Sequence, residues 1–260
     1  MPPEPVQLHT LCRHAELPCE FAGELRAFNS SFGALPAAKV CLHSPTTDAF
    51  ISKGILARGE WASVTNERTR KYVITAMAAA LKAQPGSIFV DAGANLGTFS
   101  LQLLAAGFRG ILVEAYPPNA KLLQASICRN GHEGRATLHA PLALTNGSST
   151  APVCMAWADA SNSGTSAVSA CAHGSVPVST LDAIASDCPP RAVSAFKLDV
   201  EKSELDVLRG ASLFLRRCRP RDVFVEDLHG GRVVQRLKED AGYRVRRQIG
   251  AFDFHLVAHV

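Results

Sequence analysis

Short β-rich runs alternate with helical patterns through most of this chain, and this alternation restricts the possible fold more than any other feature. Runs rich in β-branched and aromatic residues occupy positions 88–91, 111–114, 196–200 and 222–226. Apolar residues at helical spacing occupy positions 98–106, 118–131, 203–217 and 232–241. Because each connection between parallel strands needs a crossover, the alternation predicts an α/β fold with a doubly wound, mostly parallel sheet and helices on both faces.

The two ends of the chain differ from this central pattern. Positions 243–249 and 252–258 are β-rich runs separated by Gly250, which predicts a C-terminal antiparallel hairpin. The hairpin brings the located strands to six, and the architecture we expect is a seven-stranded, Rossmann-like sheet. Positions 1–64 mix short apolar runs with Pro, Gly and Ser. We therefore expect a small N-terminal cap or lead-in over 1–64 and one domain over 65–260.

The cysteines and the absence of long apolar stretches suggest a location. Eight cysteines occur without a C-x-x-C pair or a Cys/His cluster at zinc spacing, so we predict free thiols. No stretch approaches the roughly 20 apolar residues of a membrane-spanning helix. The opening residues also lack the basic start and apolar run of a secretory signal. We expect a soluble cytoplasmic protein with no membrane segment.

The charge of the chain gives little sign of a polymeric partner. The formal net charge is +4, and basic residues are spread along the chain except for the run Arg216, Arg217, Arg219 and Arg221. A solvated helix end and turn is the favoured interpretation of this run, and an anion-binding patch is the alternative. Because phosphate binding usually needs a wider basic face, we expect no nucleic-acid partner. The sequence does not indicate the oligomeric state.

A glycine loop stands between the first predicted strand and the helix after it. Positions 90–97 read VDAGANLG. Gly93 and Gly97 allow a sharp turn and a close approach of ligand to backbone, because neither carries a Cβ. The helix that follows offers unpaired N–H groups to polar atoms of a ligand. In open α/β sheets, ligands bind at this carboxyl end of the strands, so we predict a cofactor site with Asp91, Gly93, Ala94, Asn95 and Gly97.

Two acids narrow the type of cofactor. A dinucleotide loop normally reads G-x-G-x-x-G, whereas this loop has Gly-x-x-x-Gly and carries Asp91 two residues before Gly93. A carboxylate there would repel a pyrophosphate but tolerates a cationic ligand. Glu114 ends the next strand, where an acid accepts hydrogen bonds from both ribose hydroxyls. The pattern favours S-adenosylmethionine over a nicotinamide cofactor. The alternative is a plain tight turn followed by a surface acid.

Charged residues in the third β-rich run are the candidates for catalysis. Lys197, Asp199 and Glu201 alternate along a strand and so face one side, near Glu226 at the end of the fourth run. Buried charges at such positions need a partner or a ligand. We predict Asp199 as the base or positioning group for an acceptor, with Lys197 orienting it. A Lys197–Asp199 pair that only supports the sheet is the alternative.

Four further features have more than one interpretation. His229 is a second candidate base, or a plain loop histidine. We assign no metal, although Asp199, Glu201 and Glu226 would suit magnesium. Glu204 is better placed to support a helix start than to act in chemistry. The turn at 162–164 either closes over the cofactor or is a surface hairpin turn.

Several segments resemble the FkbM family of methyltransferases, within the Rossmann-like S-adenosylmethionine-dependent enzymes. The similar segments are VDAGANLG, ILVEAYPPN at 111–119, SNSGTSAVS at 161–169, VSTLDAIA at 178–185, FKLDVEKSELDVLRGA at 196–211 and VFVEDLHG at 223–230. The phrase DAFISKGILARGEW at 48–61 resembles the lead-in of the family. The likeness covers the chain from about Asp48 to its end.

The resemblance implies a cofactor and a reaction, and this chain departs from the family pattern at two places. It implies that Gly93, Ala94, Asn95 and Glu114 line an S-adenosylmethionine site. It also implies methyl transfer to a hydroxyl of a small molecule, sugar or natural product. Family members usually have Gly-Ala at positions 202–203, where this chain has Lys-Ser, and usually an acid at position 62, where it has alanine. These departures motivate a second hypothesis, a catalytically inactive protein that binds S-adenosylmethionine or a partner. A nicotinamide-dependent oxidoreductase is a third.

Overall fold

The computed structural model describes residues 4–14, 17–157, 159, 161–169 and 171–259. The segment before the main domain contains short elements: α1 (Leu8–His14), β1 (Phe21–Leu25), β2 (Phe28–Ser30), β3 (Gly33–Leu35), β4 (Ala38–Leu42) and α2 (Ser52–Arg58). β1 pairs antiparallel with β4, and β2 pairs with β3 as a hairpin. Leu25, Val40 and Ile55 join the same hydrophobic cluster as the helices of the main domain, so this segment packs directly on it.

The remaining elements alternate as the sequence predicts, except between α5 and α6, where five short strands follow one another. They are α3 (Val64–Ala83), β5 (Ile88–Ala92), α4 (Ser100–Ala105), β6 (Arg109–Val113), α5 (Pro117–Arg129), β7 (Ala136–His139), β8 (Ala143–Leu144), β9 (Cys154–Trp157), β10 (Ser166–Ser169), β11 (Val178–Ser179), α6 (Leu181–Ile184), β12 (Val193–Leu198), α7 (Glu204–Arg209), α8 (Ser212–Arg217), β13 (Asp222–Glu226), α9 (Arg232–Ala241), β14 (Tyr243–Gln248) and β15 (Asp253–Ala258). A 3₁₀ turn covers Ser163–Thr165.

The central sheet confirms the predicted fold class. Its seven strands lie in the order β14-β15-β13-β12-β5-β6-β7. β13, β12, β5, β6 and β7 are parallel, whereas β15 runs antiparallel to both β13 and β14. Successive strand residues face opposite sides of the sheet, so Phe89 packs in one buried cluster and Val90 in the other. Helices therefore cover both faces, and the carboxyl ends of the parallel strands meet at one edge.

Two predicted elements are wrong in detail. The helix expected at 203–217 is two helices, α7 and α8, with Gly210 at the break. A Cβ on Gly210 would overlap the carbonyl oxygen of Thr145, so the chain bends where another segment approaches closely. The strand expected at 196–200 ends at Leu198. Asp199 and Glu201 therefore lie in the loop after β12 rather than on its face, so strand alternation does not explain their positions.

The prediction of free thiols is also wrong. All eight cysteines lie in four disulfide bonds: Cys12–Cys128, Cys19–Cys41, Cys154–Cys171 and Cys188–Cys218. The first joins α1 to α5, and the third closes the β9–β10 hairpin. The partners are 17 to 116 residues apart, so no local spacing pattern reveals them. In the part of the chain that the structure describes, no helix is both long and apolar enough to cross a bilayer.

Candidate active site

The glycine loop forms one wall of a pocket at the carboxyl ends of the parallel strands. Gly93 has φ +84°, and a Cβ at this position would overlap the carbonyl oxygen of Asp199. The loop after β5 therefore touches the loop after β12, which only glycine permits. The N–H groups of Gly93 and Ala94 both donate to the carbonyl oxygen of Val113, at 3.0 and 2.9 Å. These contacts turn the chain across the end of β6 and bring it beside Glu114.

Glu114 lies buried at the floor of this pocket. Its Oε2 accepts from the N–H of Asn95 at 2.6 Å, and its Oε1 accepts from the N–H of Tyr116 at 2.8 Å. Burial raises the pKa of the Glu114 carboxyl to about 7, and the two N–H donors oppose that rise. Each carboxylate oxygen keeps a second lone pair. Glu114 is therefore fixed in place and still able to accept hydrogen bonds from a diol.

Asp91 and Gly97 support the loop from beneath instead of lining the pocket. Asp91 is fully buried, accepts from the Ser100 hydroxyl at 2.5 Å and lies 3.2 Å from the Lys197 ammonium. Gly97 has φ +81°, and a Cβ there would press on Leu123 of α5. Among the described residues, the pocket lining includes Gly93, Ala94 and Asn95 but neither of these two. Their contact with a cofactor stays a prediction.

The Lys197 ammonium contacts two carboxylates and the backbone of the glycine loop. Its Nζ lies 3.2 Å from Asp91 Oδ1, 3.3 Å from Asp199 Oδ2 and 3.0 Å from the carbonyl oxygen of Gly93. Burial alone lowers the pKa of this ammonium, but the charges of Asp199 and Asp91 outweigh it and the pKa is raised. Lys197 therefore stays protonated. It cannot act as a base, and its ion pair with Asp199 fits both sequence interpretations, a lysine that orients Asp199 and a pair that only supports the end of the sheet.

Asp199, Glu201 and Glu226 form a carboxylate cluster beside Lys197. One carboxylate oxygen from each of the three residues lies within 4.8 Å of the other two. Burial, followed by the charge of Asp199, raises the pKa of Glu201 to about 8 and that of Glu226 to about 9. Asp253 lies close by, and the same two causes raise its pKa to about 6. Carboxylates this close repel one another unless they share protons or bind a cation.

We expect Glu226→Gln to stabilise the protein at alkaline pH. The pKa of Glu226 is raised from 4.5 to about 9, so the stability that its proton contributes is present below pH 4.5 and is lost as the pH rises through 9. The neutral amide avoids this loss. At pH 9 the variant should melt about 2–4 °C above the unmodified protein, the shift that about 1 kcal/mol gives in a chain of this size.

Thermal denaturation between pH 5 and 9 tests this expectation. The gap in Tm between Glu226→Gln and the unmodified protein should widen with pH. Glu239 is exposed on α9, so Glu239→Gln is the matched control and should show no widening gap. Parallel pH profiles for the Glu226 variant and the unmodified protein would contradict the assignment of a raised pKa.

His229 is held away from the pocket by Glu204. Its Nε2 lies 2.9 Å from Glu204 Oε2, whereas Glu204 Oε1 accepts from the N–H groups of Val200 and Lys202. Among the described residues, His229 is not part of the pocket lining. This geometry supports a role in clamping the loop after β12 over the role of base. Glu204 supports that loop and the start of α7, as its position in the sequence suggested.

Lys202, where the chain departs from the pattern it resembles, lies in a strained stretch of backbone. Glu201 has φ +50° and Lys202 has φ +73°, so two consecutive residues with side chains adopt the left-handed conformation. Glycine, which the family usually has at the second position, adopts it without strain. The Glu204 contacts to this loop hold it in place despite the lysine.

The turn at 162–164 lies over the pocket, as one sequence interpretation proposed. The Asn162 side chain accepts from the N–H of Gly164 at 2.9 Å, and both residues line the pocket. Asn95 Nδ2 donates to the carbonyl oxygen of Ser163 at 3.1 Å, which joins the turn to the glycine loop. The β9–β10 hairpin that carries this turn thus forms the roof of the site.

Sequence reasoning missed several residues that complete the site. Asp48 is fully buried and accepts from the hydroxyls of Ser52 and Ser163, both at 2.7 Å, so it joins the lead-in to the roof. Phe50 and Trp61 also line the pocket. These residues lie in the segment 48–61, which resembles the lead-in of the family. The sequence alone did not show that this segment lies beside the pocket.

Comparison with protein families decides the identity of this fold. The sequence matches the methyltransferase FkbM domain over residues 91–245, more than half of the chain. The chain belongs to the FkbM methyltransferase family. The matched range contains the glycine loop, Glu114, the roof and the carboxylate cluster. None of the curated proteins compared is similar enough to count as a match.

Solved methyltransferase structures are distantly similar to this FkbM-family chain. A methyltransferase from Geobacter sulfurreducens is 14% identical, with a TM-score of 0.42 over 73% of this chain and 77% of that one. The C-terminal domain of precorrin-6Y C5,15-methyltransferase from Rhodobacter capsulatus is 15% identical, with a TM-score of 0.40 over 70% and 84%. A SAM-dependent methyltransferase from Neisseria gonorrhoeae is 14% identical, with a TM-score of 0.37 over 99% and 92%. Similarity at this level carries no argument about substrate.

Proposed function

We propose that this FkbM-family methyltransferase transfers a methyl group from S-adenosylmethionine to a hydroxyl oxygen of a small molecule, sugar or natural product. The observation that carries the proposal is the position of Asp199. It lies against the glycine loop, belongs to the carboxylate cluster and is paired with Lys197, and its side chain is 33% exposed at the pocket that it lines.

The residues of the pocket fit S-adenosylmethionine. Glu114 is an anchored carboxylate that suits a ribose diol, and the positive φ of Gly93 and Asn95 keeps the loop backbone close to the ligand. Leu142, Ala143 and Leu144 supply an apolar wall beside Glu114 that suits a purine. When bound, the cofactor supplies a methyl group on a sulfonium. Its positive charge is compatible with the acidic mouth of the pocket.

Side chains that line the pocket perform the remaining roles in the reaction. Phe50, Trp61 and Met155 form apolar walls that exclude water and hold an acceptor. Asp199 accepts the proton that leaves the acceptor hydroxyl as its oxygen is methylated. Lys197 fixes Asp199 through a charged hydrogen bond. Glu226, whose carboxyl is largely protonated near neutral pH, limits the negative charge of the cluster.

We expect Asp199→Asn to remove methyl transfer while it preserves cofactor binding. The amide fills the same space but cannot take a proton, and positioned general bases contribute about 10²–10⁴ in rate. The measurement is formation of S-adenosylhomocysteine with a panel of hydroxyl-bearing sugars and small molecules. Asp206, an exposed acid on α7, provides the matched control Asp206→Asn, which should keep full activity. Undiminished transfer by Asp199→Asn would overturn the role of Asp199 as base.

The same panel separates the proposal from its alternative. The strained backbone at Glu201 and Lys202 favours the second candidate, a protein that binds S-adenosylmethionine without turnover. Binding of the cofactor together with transfer to none of the acceptors would favour this candidate. Transfer to any hydroxyl in the panel would exclude it.

The four disulfide bonds also bear on the cellular compartment in which the protein folds. Disulfides form and persist in oxidising compartments and are rare where glutathione keeps thiols reduced. The expectation of a cytoplasmic protein rested partly on free thiols, and the chain has none among its eight cysteines. We therefore propose that this methyltransferase folds in an oxidising compartment.

A further inference from the structure

A second cavity lies at the opposite end of β13 from the candidate active site. It has a volume of about 660 Å³ and runs between α3 and the β14–β15 edge of the sheet, under the β2–β3 hairpin. Asp222, at the start of β13, lines it, whereas Glu226, at the end of the same strand, lines the cofactor pocket. The two cavities are therefore separate. The volume lies within the roughly 300–1,000 Å³ of small-molecule sites.

The walls of this groove are apolar and fixed. The hairpin contributes Phe28 and Phe32, and Phe32 is 52% exposed. The facing side of α3 contributes Ala76, Ala79 and Ala80, whose small side chains leave the space open. The Lys82 ammonium donates to the carbonyl oxygen of Phe32 and ties the hairpin tip to α3. The hairpin is thus held in place beside α3, and the groove between them offers an apolar surface to a ligand.

The floor of the groove is polar but internally satisfied. The buried ring of His255 contacts Asp222 Oδ1 through Nε2 at 2.6 Å and the Tyr72 hydroxyl through Nδ1 at 3.0 Å. Both ring nitrogens of His255 therefore have a polar partner. Asp222 is the acid among the residues that line the groove, and it is already paired. A charged ligand group therefore has to be met at the rim.

The rim carries unbalanced positive charge. Lys71, Arg221 and Arg246 line it, and the Arg247 guanidinium lies 5.0 Å above the Tyr72 ring. Lys71 pairs with Glu60 at 2.6 Å, and Arg221 lies 3.4 Å from the already paired Asp222. Among the residues that the structure describes, Arg246 has no ion-pair partner. Arginine presents a planar fork of donors that matches a carboxylate, so the charge of the rim selects an anion.

We propose that this groove binds an apolar carboxylate, with its chain against the α3 alanines and the hairpin phenylalanines and its carboxylate at Arg221 and Arg246. The arginine run at 216–221, which methyl transfer leaves unused, thereby supplies one residue to a ligand site. The site stands on its own contacts and does not depend on the proposed methyl transfer.

The test uses dodecanoate as the probe, below the concentration at which it forms micelles. Calorimetry on the full chain should show saturable binding at one site, about tenfold or more tighter than dodecylammonium, which has the same chain and the opposite charge. Arg246→Glu removes the free cation and Ala79→Leu fills the groove, and each should weaken dodecanoate binding at least about tenfold.

Controls distinguish a loss of binding in this groove from misfolding of the variants and from a general effect of charge reversal. Arg216→Glu makes the same charge reversal at an exposed site on α8, away from the groove, and should change affinity by less than about twofold. Unchanged binding of S-adenosylmethionine shows that Ala79→Leu and Arg246→Glu fold correctly. The proposal is overturned if dodecanoate fails to saturate, if both variants bind it normally, or if dodecylammonium binds equally well.

Discussion

Gly93→Ala is expected to remove S-adenosylmethionine binding and to lower the free energy of unfolding by about 2–5 kcal/mol. Two effects add. A residue with a side chain held at the φ of +84° seen at Gly93 costs about 1–2 kcal/mol. The new Cβ would also overlap the carbonyl oxygen of Asp199, and overpacking of this kind costs about 1–3 kcal/mol. The loops after β5 and β12 would have to separate, and the pocket lies between them.

A second glycine isolates the effect of the close approach. Gly86 has φ +85°, and a Cβ there has no atom within 4 Å. Gly86→Ala should therefore show the conformational cost of about 1–2 kcal/mol alone. Urea denaturation of both variants, with calorimetry for cofactor binding, makes the comparison. Equal destabilisation of the two variants, with binding intact, would contradict the contact between the loops.

Reduction of the four disulfide bonds is expected to cause the other large loss of stability. A cross-link that closes a loop of about 15 residues contributes about 3 kcal/mol, and one that closes about 100 residues contributes about 4.7 kcal/mol. The Cys12–Cys128 pair spans 116 residues and Cys154–Cys171 spans 17. Together the bonds exceed what a domain of ordinary stability can lose, so the reduced chain should unfold below 37 °C, the temperature at which small domains often fail without a native disulfide.

Alkylation and paired substitutions test this expectation. The unreduced protein should yield no alkylated cysteine in peptide mass spectrometry, even after denaturation. The double variant Cys12→Ser/Cys128→Ser should be less stable than Cys154→Ser/Cys171→Ser, because its bond closes the longer loop. Quantitative alkylation without reductant would contradict the pairing, and with it the proposed oxidising compartment.

The central fold was predictable because it depends on local patterns. β13 and α9 have the predicted bounds, and β5 differs from its predicted run by one residue, because alternating apolar runs and glycine stops specify them directly. β7 was missed. Its four residues, Ala136–His139, form only the edge of the sheet and carry too short a pattern to stand out.

The site was predictable only where it is built by consecutive elements of a recognisable fold pattern. The glycine loop and the acid after the next strand follow from the Rossmann-like pattern, and the structure joins Asn95 to Glu114. The contact of Asp48 with Ser163 crosses 115 residues, and that of His229 with Glu204 crosses 25. Such pairings depend on how the cap and loops pack, so no periodic pattern encodes them. The disulfides were missed for the same reason.

Binding of S-adenosylmethionine, measured by calorimetry, tests the central claim most directly. The unmodified protein should bind it saturably, and Asp199→Ala should bind it within a few-fold of the same affinity. Glu114→Ala should bind it about 100-fold more weakly or worse, because each hydrogen bond to a charged group contributes about 1.5–3 kcal/mol and Glu114 offers two. Absence of binding by the unmodified, correctly folded protein would contradict the account.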